Sequence, residues 1–249
     1  MKVLIYDLET GPLLGHFWRI TQGYINPEGI VHDSFLMSWS AKWRGSGKVY
    51  SQVLTPEEAI AQDDARIVEG IAELVREADY VVAHNIERFD YKQLNGRVSQ
   101  LGLENLGPVQ MIDTKKLAFR DLGVASTSLD YLADFFGIGR KRPMTYDDWL
   151  RAYRGDPKAL RKMDQYCRHD TRLLAEVFER MLPYVRGVPR LVAGDGSFAC
   201  VYCGSRDLIK RGFKHTAAGT YQQWQCKKCT RYSREPTAIE SMKPGLRPN

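Results

Sequence analysis

No apolar run in the 249-residue chain approaches the roughly 20 residues of a membrane-spanning helix, which excludes a helical integral membrane protein. MKVLIYDL is not expected to act as a signal peptide, being short and passing soon into polar sequence. Cysteine is sparse. Of five in all, four sit in two CxxC pairs near the C-terminus, a pattern that excludes a disulfide framework and fits a reducing compartment. Internal repeats are absent beyond those paired motifs, and residues 1–189 carry almost no net charge, 25 Lys and Arg against 26 Asp and Glu. These absences predict a soluble, cytoplasmic protein without membrane contact.

What is present supports one medium domain plus a small module: 43% apolar residues, enough for a core, and 27% charged. From Arg190 onward the chain holds 11 Lys and Arg against 4 Asp and Glu, so this segment carries the whole +6 excess. A basic segment of this kind suits a polyanionic partner, a solubilising tail being the plain alternative. Strand-like patterns cover MKVLIYDLE, Ser34–Trp43 and Lys48–Leu54, the last two joined by Gly45-Ser46-Gly47 as a hairpin. Thr55 opens a helical pattern that resumes through Ile67, Ile71, Leu74 and Val75. Short strands at Tyr80–Ala83 and Val109–Ile112 alternate with helical patterns over Phe89–Leu101, Asp113–Leu122 and Ser128–Phe136, and a long helix runs from Asp156-Pro157 to Met181. This order predicts an α/β architecture, a mixed sheet flanked by helices. Gly187-Val188-Pro189 reads as a linker, giving a first domain over 1–187, a second over 188–240, and a tail over 241–249 that has nothing to bury and is expected to be disordered.

Acidic residues stand at the ends of regular segments: Asp7 and Glu9 in YDLET, Asp90 in HNIERFD, Asp170 in YCRHD. Asp7 and Glu9, two apart on a strand, share a face. Solvated acids at a fraying strand end are the simpler reading of that pair. Asp90 also suits a helix first turn, whereas Asp170 lies inside a helix where Asp has poor propensity. Tyr166 is one turn before it on the same face. Gathered together, such carboxylates repel unless a hard cation sits among them, and a cluster of this kind holds Mg²⁺ or Mn²⁺ beside a phosphate. The chemistry this predicts is metal-dependent cleavage of phosphodiester bonds.

YDLET, then Asn85-x-x-x-Phe89-Asp90, then Tyr166-x-x-x-Asp170 resembles the three-motif pattern of the DEDD 3′→5′ exonuclease superfamily, tyrosine branch, over roughly residues 1–185. The first two motifs are similar to those of family B DNA polymerase proofreading domains. The histidine branch needs His where this chain has Gln165. The resemblance implies a ribonuclease H-like fold for 1–187. It implies two Mg²⁺ or Mn²⁺ ions, one held by Asp7, Glu9 and Asp170 and one by Asp7 with Asp90 through water. It implies that Tyr166 aims the attacking water, orientation suiting a phenol of pKa about 10 better than proton abstraction. Leu8, Thr10, Asn85 and Phe89 are the implied substrate contacts, the backbone around Leu8–Thr10 lying against the terminal nucleotide. The implied products are nucleoside 5′-monophosphates. His84 reads as a hydrogen-bonded structural histidine, and His169 as a surface or supporting group.

Cys200-Val-Tyr-Cys203 and Cys226-Lys-Lys-Cys229, 22 residues apart, read as four thiolate ligands of one structural Zn²⁺ in a zinc ribbon, with a redox CxxC as the rival. Too few apolar residues lie between the pairs for a metal-free core. Lys210, Arg211, Lys214, Lys227, Lys228, Arg231 and Arg234 interleave with Phe213, Tyr221, Trp224 and Tyr232, a mixture suited to a single strand of nucleic acid, DNA ahead of RNA. The plain alternative is that half of these aromatics pack the ribbon itself, and Trp224 at least is expected to do so. Arg140-Lys141-Arg142 either lines the strand's path or is a solvated loop. The rival readings are an exoribonuclease, an endonuclease on the same core, and a non-catalytic adaptor for DNA or a replication protein. The compact size suits a bacteriophage or bacterial enzyme.

Overall fold

A computed structural model of the chain describes residues 1–18, 26–192 and 197–241; all but the first residue of the expected tail over 241–249 lies outside them. Met1 aside, the chain divides into two compact units, Lys2–Arg180 and Met181–Asn249.

In the larger unit β1 (Val3–Thr10) is followed by β2 (Leu14–Gly15) and β3 (Ile30–His32), which pair with each other, and by β4 (Leu36–Trp43) and β5 (Tyr50–Val53). α1 (Pro56–Ala61) and α2 (Ala65–Arg76) lead to β6 (Tyr80–Ala83), and α3 (Asp90–Gln100) leads to β7 (Gln110–Asp113). α4 (Thr114–Asp121), α5 (Leu129–Phe135), α6 (Tyr146–Tyr153) and α7 (Pro157–Met181) complete the order. The sheet runs β5-β4-β1-β6-β7; β4 and β5 are antiparallel to their neighbours, while β6 and β7 run parallel to β1. This is the predicted mixed α/β sheet, its parallel half reached through helical crossovers.

Alternation along β1 sets the two faces of the sheet. Leu4, Tyr6 and Leu8 enter an apolar core with Phe35, Met37, Trp39, Ile67, Ile71 and Leu94. Asp7 and Glu9 therefore face the other way. Their cross-strand neighbours on β4, Ser40 and Ser38, are fully buried. These short side chains let α7 approach closely: Ser40 Oγ donates to the Cys167 carbonyl at 2.8 Å, and Thr171 Oγ1 donates to the Ser40 carbonyl at 3.2 Å. The helix bearing Tyr166 and Asp170 is thereby pinned over the acid-bearing face.

Two local features differ from the sequence reading. The helical pattern after Thr55 is broken into α1 and α2 at Gln62, which adopts a left-handed conformation with φ 55°. Just beyond, the fully buried Asp64 accepts from the Leu36 amide and from two nitrogens of Arg97, at 2.5 and 2.8 Å, joining α2, α3 and β4. α6 was not expected, although Thr145 and Asp148 form a reciprocal capping box at its start.

The smaller unit is a β-sheet built on β9 (Gly219–Cys226). β8 (Leu208–Thr216) pairs along one side of it, and β10 (Tyr232–Arg234) and β11 (Glu240–Ser241) pair with its two ends. Trp224 donates to Glu235 at 2.9 Å and meets Phe198 edge-on at 4.7 Å, and Tyr221 is buried, whereas Phe213 and Tyr232 are exposed. The aromatics thus divide between packing and surface.

Candidate active site and cysteine cluster

Glu9, Asp90 and Asp170 are all buried, and Asp7 is half-buried. Oxygens of Asp7 and Glu9 lie within 4.8 Å of each other and of Cys167 Sγ. Asp170 and Asp90 fall outside that tight group, yet their charges act on it. Burial first, then Asp170, pushes the Asp7 carboxyl up to about 7, against the opposing pull of Lys141, the Cys167 thiol and Glu9. Burial, Asp7 and Asp170 raise Glu9 well above its ordinary value. Burial and Asp7 do the same to Asp90, whose own backbone N–H and that of Leu8 partly compensate. Burial raises Asp170 too, with Lys141 and Tyr166 offsetting part of the effect. Each shift says that this site is short of positive charge.

Asp170 enters from α7 and Asp90 from the first turn of α3. Ahead of Asp90, Asn85 adopts φ 80° and its carbonyl accepts from the amides of Arg88 and Phe89, turning the chain from β6 into α3. Asp113, at the start of the helical pattern read over Asp113–Leu122, fastens this turn: its Oδ1 accepts from Asn85 N–H at 3.1 Å and caps α4 through Lys115 and Lys116. His84 bridges Thr114 Oγ1 and the Thr127 carbonyl, both at 2.9 Å, and burial drops its pKa to about 4, so it is a neutral structural residue.

Lys141 is the main addition to the sequence reading. Its ammonium lies 2.5 Å from Asp170 Oδ2 and donates to the Tyr166 hydroxyl at 3.0 Å. This ion pair meets Oδ2, while Oδ1 of buried Asp170 has no hydrogen-bond partner. Lys141 is delivered by an anchored loop. Arg140 pairs with Asp130 and Asp134 of α5, the Lys141 amide donates to Asp130, and His169 bonds the Arg140 carbonyl. The basic run in the sequence marked the segment but not its direction. Tyr166 meets the Trp149 ring edge-on at 5.9 Å, and the Trp149 N–H donates to the Thr10 carbonyl at 3.1 Å. Burial and Asp170 raise the tyrosine's pKa, so the phenol keeps its proton at neutral pH.

Cys167 is also new. It is fully buried, its thiol 3.4 Å from the Asp7 carbonyl and 3.7 Å from Asp7 Oδ2. Burial and the charges of Asp7 and Glu9 keep it protonated. It supports Asp7 as a donor, because an oxygen-rich site selects hard ions that a thiol serves poorly. The donor set fits a hard divalent cation: buried carboxylates, acceptor atoms without donors, and raised affinity for protons that a metal would replace.

The expected substrate contacts are placed as follows. Leu8 turns its side chain into the core, leaving its backbone beside the acids, and Thr10 holds Trp149. Phe89 precedes α3 and is partly exposed. Asn85 lines a cavity of about 280 Å³ with Arg88, Lys115, Lys116, Phe119 and Thr127.

In the smaller unit, Sγ atoms of Cys200, Cys203, Cys226 and Cys229 lie within 4.8 Å of one another, with Cys200–Cys229 at 3.6 Å and Cys203–Cys226 at 3.7 Å. These separations are far beyond a disulfide bond of about 2.05 Å. They match the roughly 3.8 Å edge of a tetrahedron with 2.3 Å metal–sulfur bonds. Burial raises the Cys226 thiol, but the backbone N–H groups of Cys229 and Lys228 outweigh it and bring the pKa down to about 7. Four thiols so arranged fit a tetrahedral soft-ligand ion.

Among the described residues no helix is long and apolar enough to cross a membrane. A family model of the RNase H superfamily (RNase_H_2) matches residues 32–182, more than half of the chain, beginning after the strand that carries Asp7 and Glu9. Solved structures with a similar fold include the family B DNA polymerase from the hyperthermophilic archaeon Pyrobaculum calidifontis, with a TM-score of 0.53 and 21% identity over 73% of this chain and 24% of that one. The chain spans about a quarter of that polymerase, and the likeness is one of fold. No curated protein matches the sequence. On the family match and the mixed sheet that bears it out, the chain belongs to the RNase H superfamily.

Proposed function

We propose that the chain is a divalent-metal-dependent 3′→5′ exonuclease of the DEDD type, removing nucleoside 5′-monophosphates from the 3′ end of a single strand, DNA ahead of RNA. The observation that carries this reading is the gathering of buried Glu9, Asp90 and Asp170 with Asp7, all raised by burial, with the Lys141 ammonium as the one facing cation among the described residues. A carboxylate cluster of this kind costs stability unless further cations complete it. The motif order supports the polarity and the end-directed action.

In this reading Asp7, Glu9 and Asp170 hold one Mg²⁺ or Mn²⁺, and Asp7 with Asp90 holds the other. When bound, the two ions supply the positive charge that acidifies a water and stabilises the leaving 3′-oxygen. The protein's own groups do the positioning. Tyr166, protonated and braced by Trp149, donates its hydroxyl hydrogen toward the attacking water and sets its angle. Lys141 neutralises one charge beside Asp170 and orders the phenol. The backbone of Leu8–Thr10 lies along the terminal nucleotide, with Asn85 and Phe89 fixing the turn beside it. The first 187 residues form the exonuclease domain. Residues 188–240 form a zinc ribbon that tethers nucleic acid, and its free thiols suit the cytoplasm.

The test is digestion of 3′- and 5′-labelled single-stranded DNA and RNA with Mg²⁺, Mn²⁺ or chelator. The 3′ label should appear at once as a mononucleotide while the 5′ label passes through a ladder. Products carrying internal breaks, or cleavage of closed circles, would overturn the end-directed reading.

A further inference from the structure

The smaller unit contains a cavity of about 390 Å³ bordered by the segment after α7 and by β10. This is within the range of small-ligand sites, about 300–1,000 Å³. Among the described residues its lining includes four basic side chains and no acid. Arg231 is the decisive one. It is only 6% exposed, its guanidinium stacks on Tyr202 at 3.7 Å, and one nitrogen donates to the Val185 carbonyl at 3.2 Å. The other terminal nitrogen, Nη1, has no hydrogen-bond partner. A buried guanidinium is costly; Tyr202 and the thiols of Cys229 and Cys200 offset part of that cost, and anions with planar or tetrahedral oxygens match its geometry. Lys214 and Arg234 add charge, and Tyr184 and Tyr232, 67% and 49% exposed, offer ring faces to anything that enters.

We propose that this cavity holds one nucleotide unit of a single nucleic-acid strand, the phosphate drawn to Arg231, Lys214 and Arg234 and the base resting on Tyr184 or Tyr232. The exposed cations Lys214 and Arg234 meet the phosphate, and the buried Arg231 guanidinium adds its charge behind them. The basic side chains spread over the ribbon then contribute unequally, and the cavity is where the strand is held. The proposal rests on the nucleic-acid reading of the protein, but it concerns binding and not cleavage.

The experiment is fluorescence anisotropy with a labelled oligothymidylate on the full, zinc-loaded chain, carrying Asp7→Asn so that the strand persists. Tyr184→Ala combined with Lys214→Ala should weaken binding about tenfold or more, from one stacked base and one phosphate contact. Arg231→Gln should do the same at unchanged zinc content, while Lys48→Ala, an exposed lysine of the larger unit outside the cavity, stays within about twofold. If Arg231→Gln loses zinc, that residue serves the thiolates and the Tyr184/Lys214 pair alone decides. Unchanged affinity in that pair overturns the site. Displacement by polyglutamate as effective as by unlabelled oligothymidylate also overturns it, assigning the cavity to an acidic protein segment. Cleavage by the parent chain is scored separately. A parent that binds through the cavity but never cleaves sinks only the exonuclease reading, and one that cleaves with an indifferent cavity sinks only this inference.

Discussion

Lys2–Arg180 sets its acids against an apolar core reaching from Leu4 and Tyr6 to Ile71 and Leu94, whereas among the described residues the unit from Met181 onward buries little more than Met181, Leu182, Val185, Val188, Leu191 and Tyr221 beside Cys200 and Cys226. The larger unit can carry repelling carboxylates because folding rests on apolar burial elsewhere. The smaller unit's described residues offer no such reserve, and on the proposed reading the four cysteines hold it together as metal ligands. Candidate ligands in the two units should therefore behave oppositely: removing a cysteine should unfold its surroundings, and removing an acid should firm them.

The largest effect is expected at the cysteines. Cys226→Ser, or zinc removal, should abolish protection of β8 to β11 in hydrogen exchange, since a structural zinc contributes roughly 10–16 kcal/mol. The sheet of the larger unit should stay protected. Equal loss in both units would erase the contrast.

Asp7→Asn should lower cleavage on the order of 10²–10³-fold yet stabilise the metal-free protein. Its carboxyl titrates at about 7 in the fold against an ordinary 3.8, so the native state holds an extra proton between those values. Stability of the metal-free protein should accordingly fall as pH rises from about 4 to about 7. The share due to Asp7 should reach up to about 4 kcal/mol, an upper bound for a half-buried group; Asp7→Asn should remove that share and leave a smaller fall from Glu9 and Asp90. Thermal melts across that window, with and without Mn²⁺, measure it. Mn²⁺ should bind more tightly as pH rises, because the metal displaces that proton.

Lys141→Met should cost about 1–2 kcal/mol without metal, discounted because the ammonium is partly exposed, and divalent ions should restore most of it. Trp149→Phe, which loses the bond to Thr10 and shrinks the ring set against Tyr166 and the core, should cost at least about 0.5–1.5 kcal/mol and misplace Tyr166 slightly. It is measured as a small fall in kcat with unchanged zinc content.

The two units were also unequally legible in sequence. The cysteine pairs announce themselves because their spacing is local. In the larger unit strand alternation revealed the shared face of Asp7 and Glu9, and an Asp inside a helix flagged Asp170. What escaped notice depends on distant contacts. Ser40 meets Cys167 and Thr171 across more than 120 residues, and nothing near Cys167 distinguishes it from an ordinary core thiol. Lys141 was visible only as one member of a basic run, since its aim is set by Asp130, Asp134 and His169. α6 carried a readable signal, Thr145 with Asp148, but too few apolar residues follow for its period to stand out.

Anomalous diffraction from a crystal of the zinc-loaded chain soaked in Mn²⁺ at pH 8 tests the central claim most directly. The account predicts manganese peaks against Asp7, Glu9 and Asp170, with the Lys141 ammonium drawn back from Asp170. Diffraction showing Lys141 still seated on Asp170, and no manganese near any of the four acids, would contradict it.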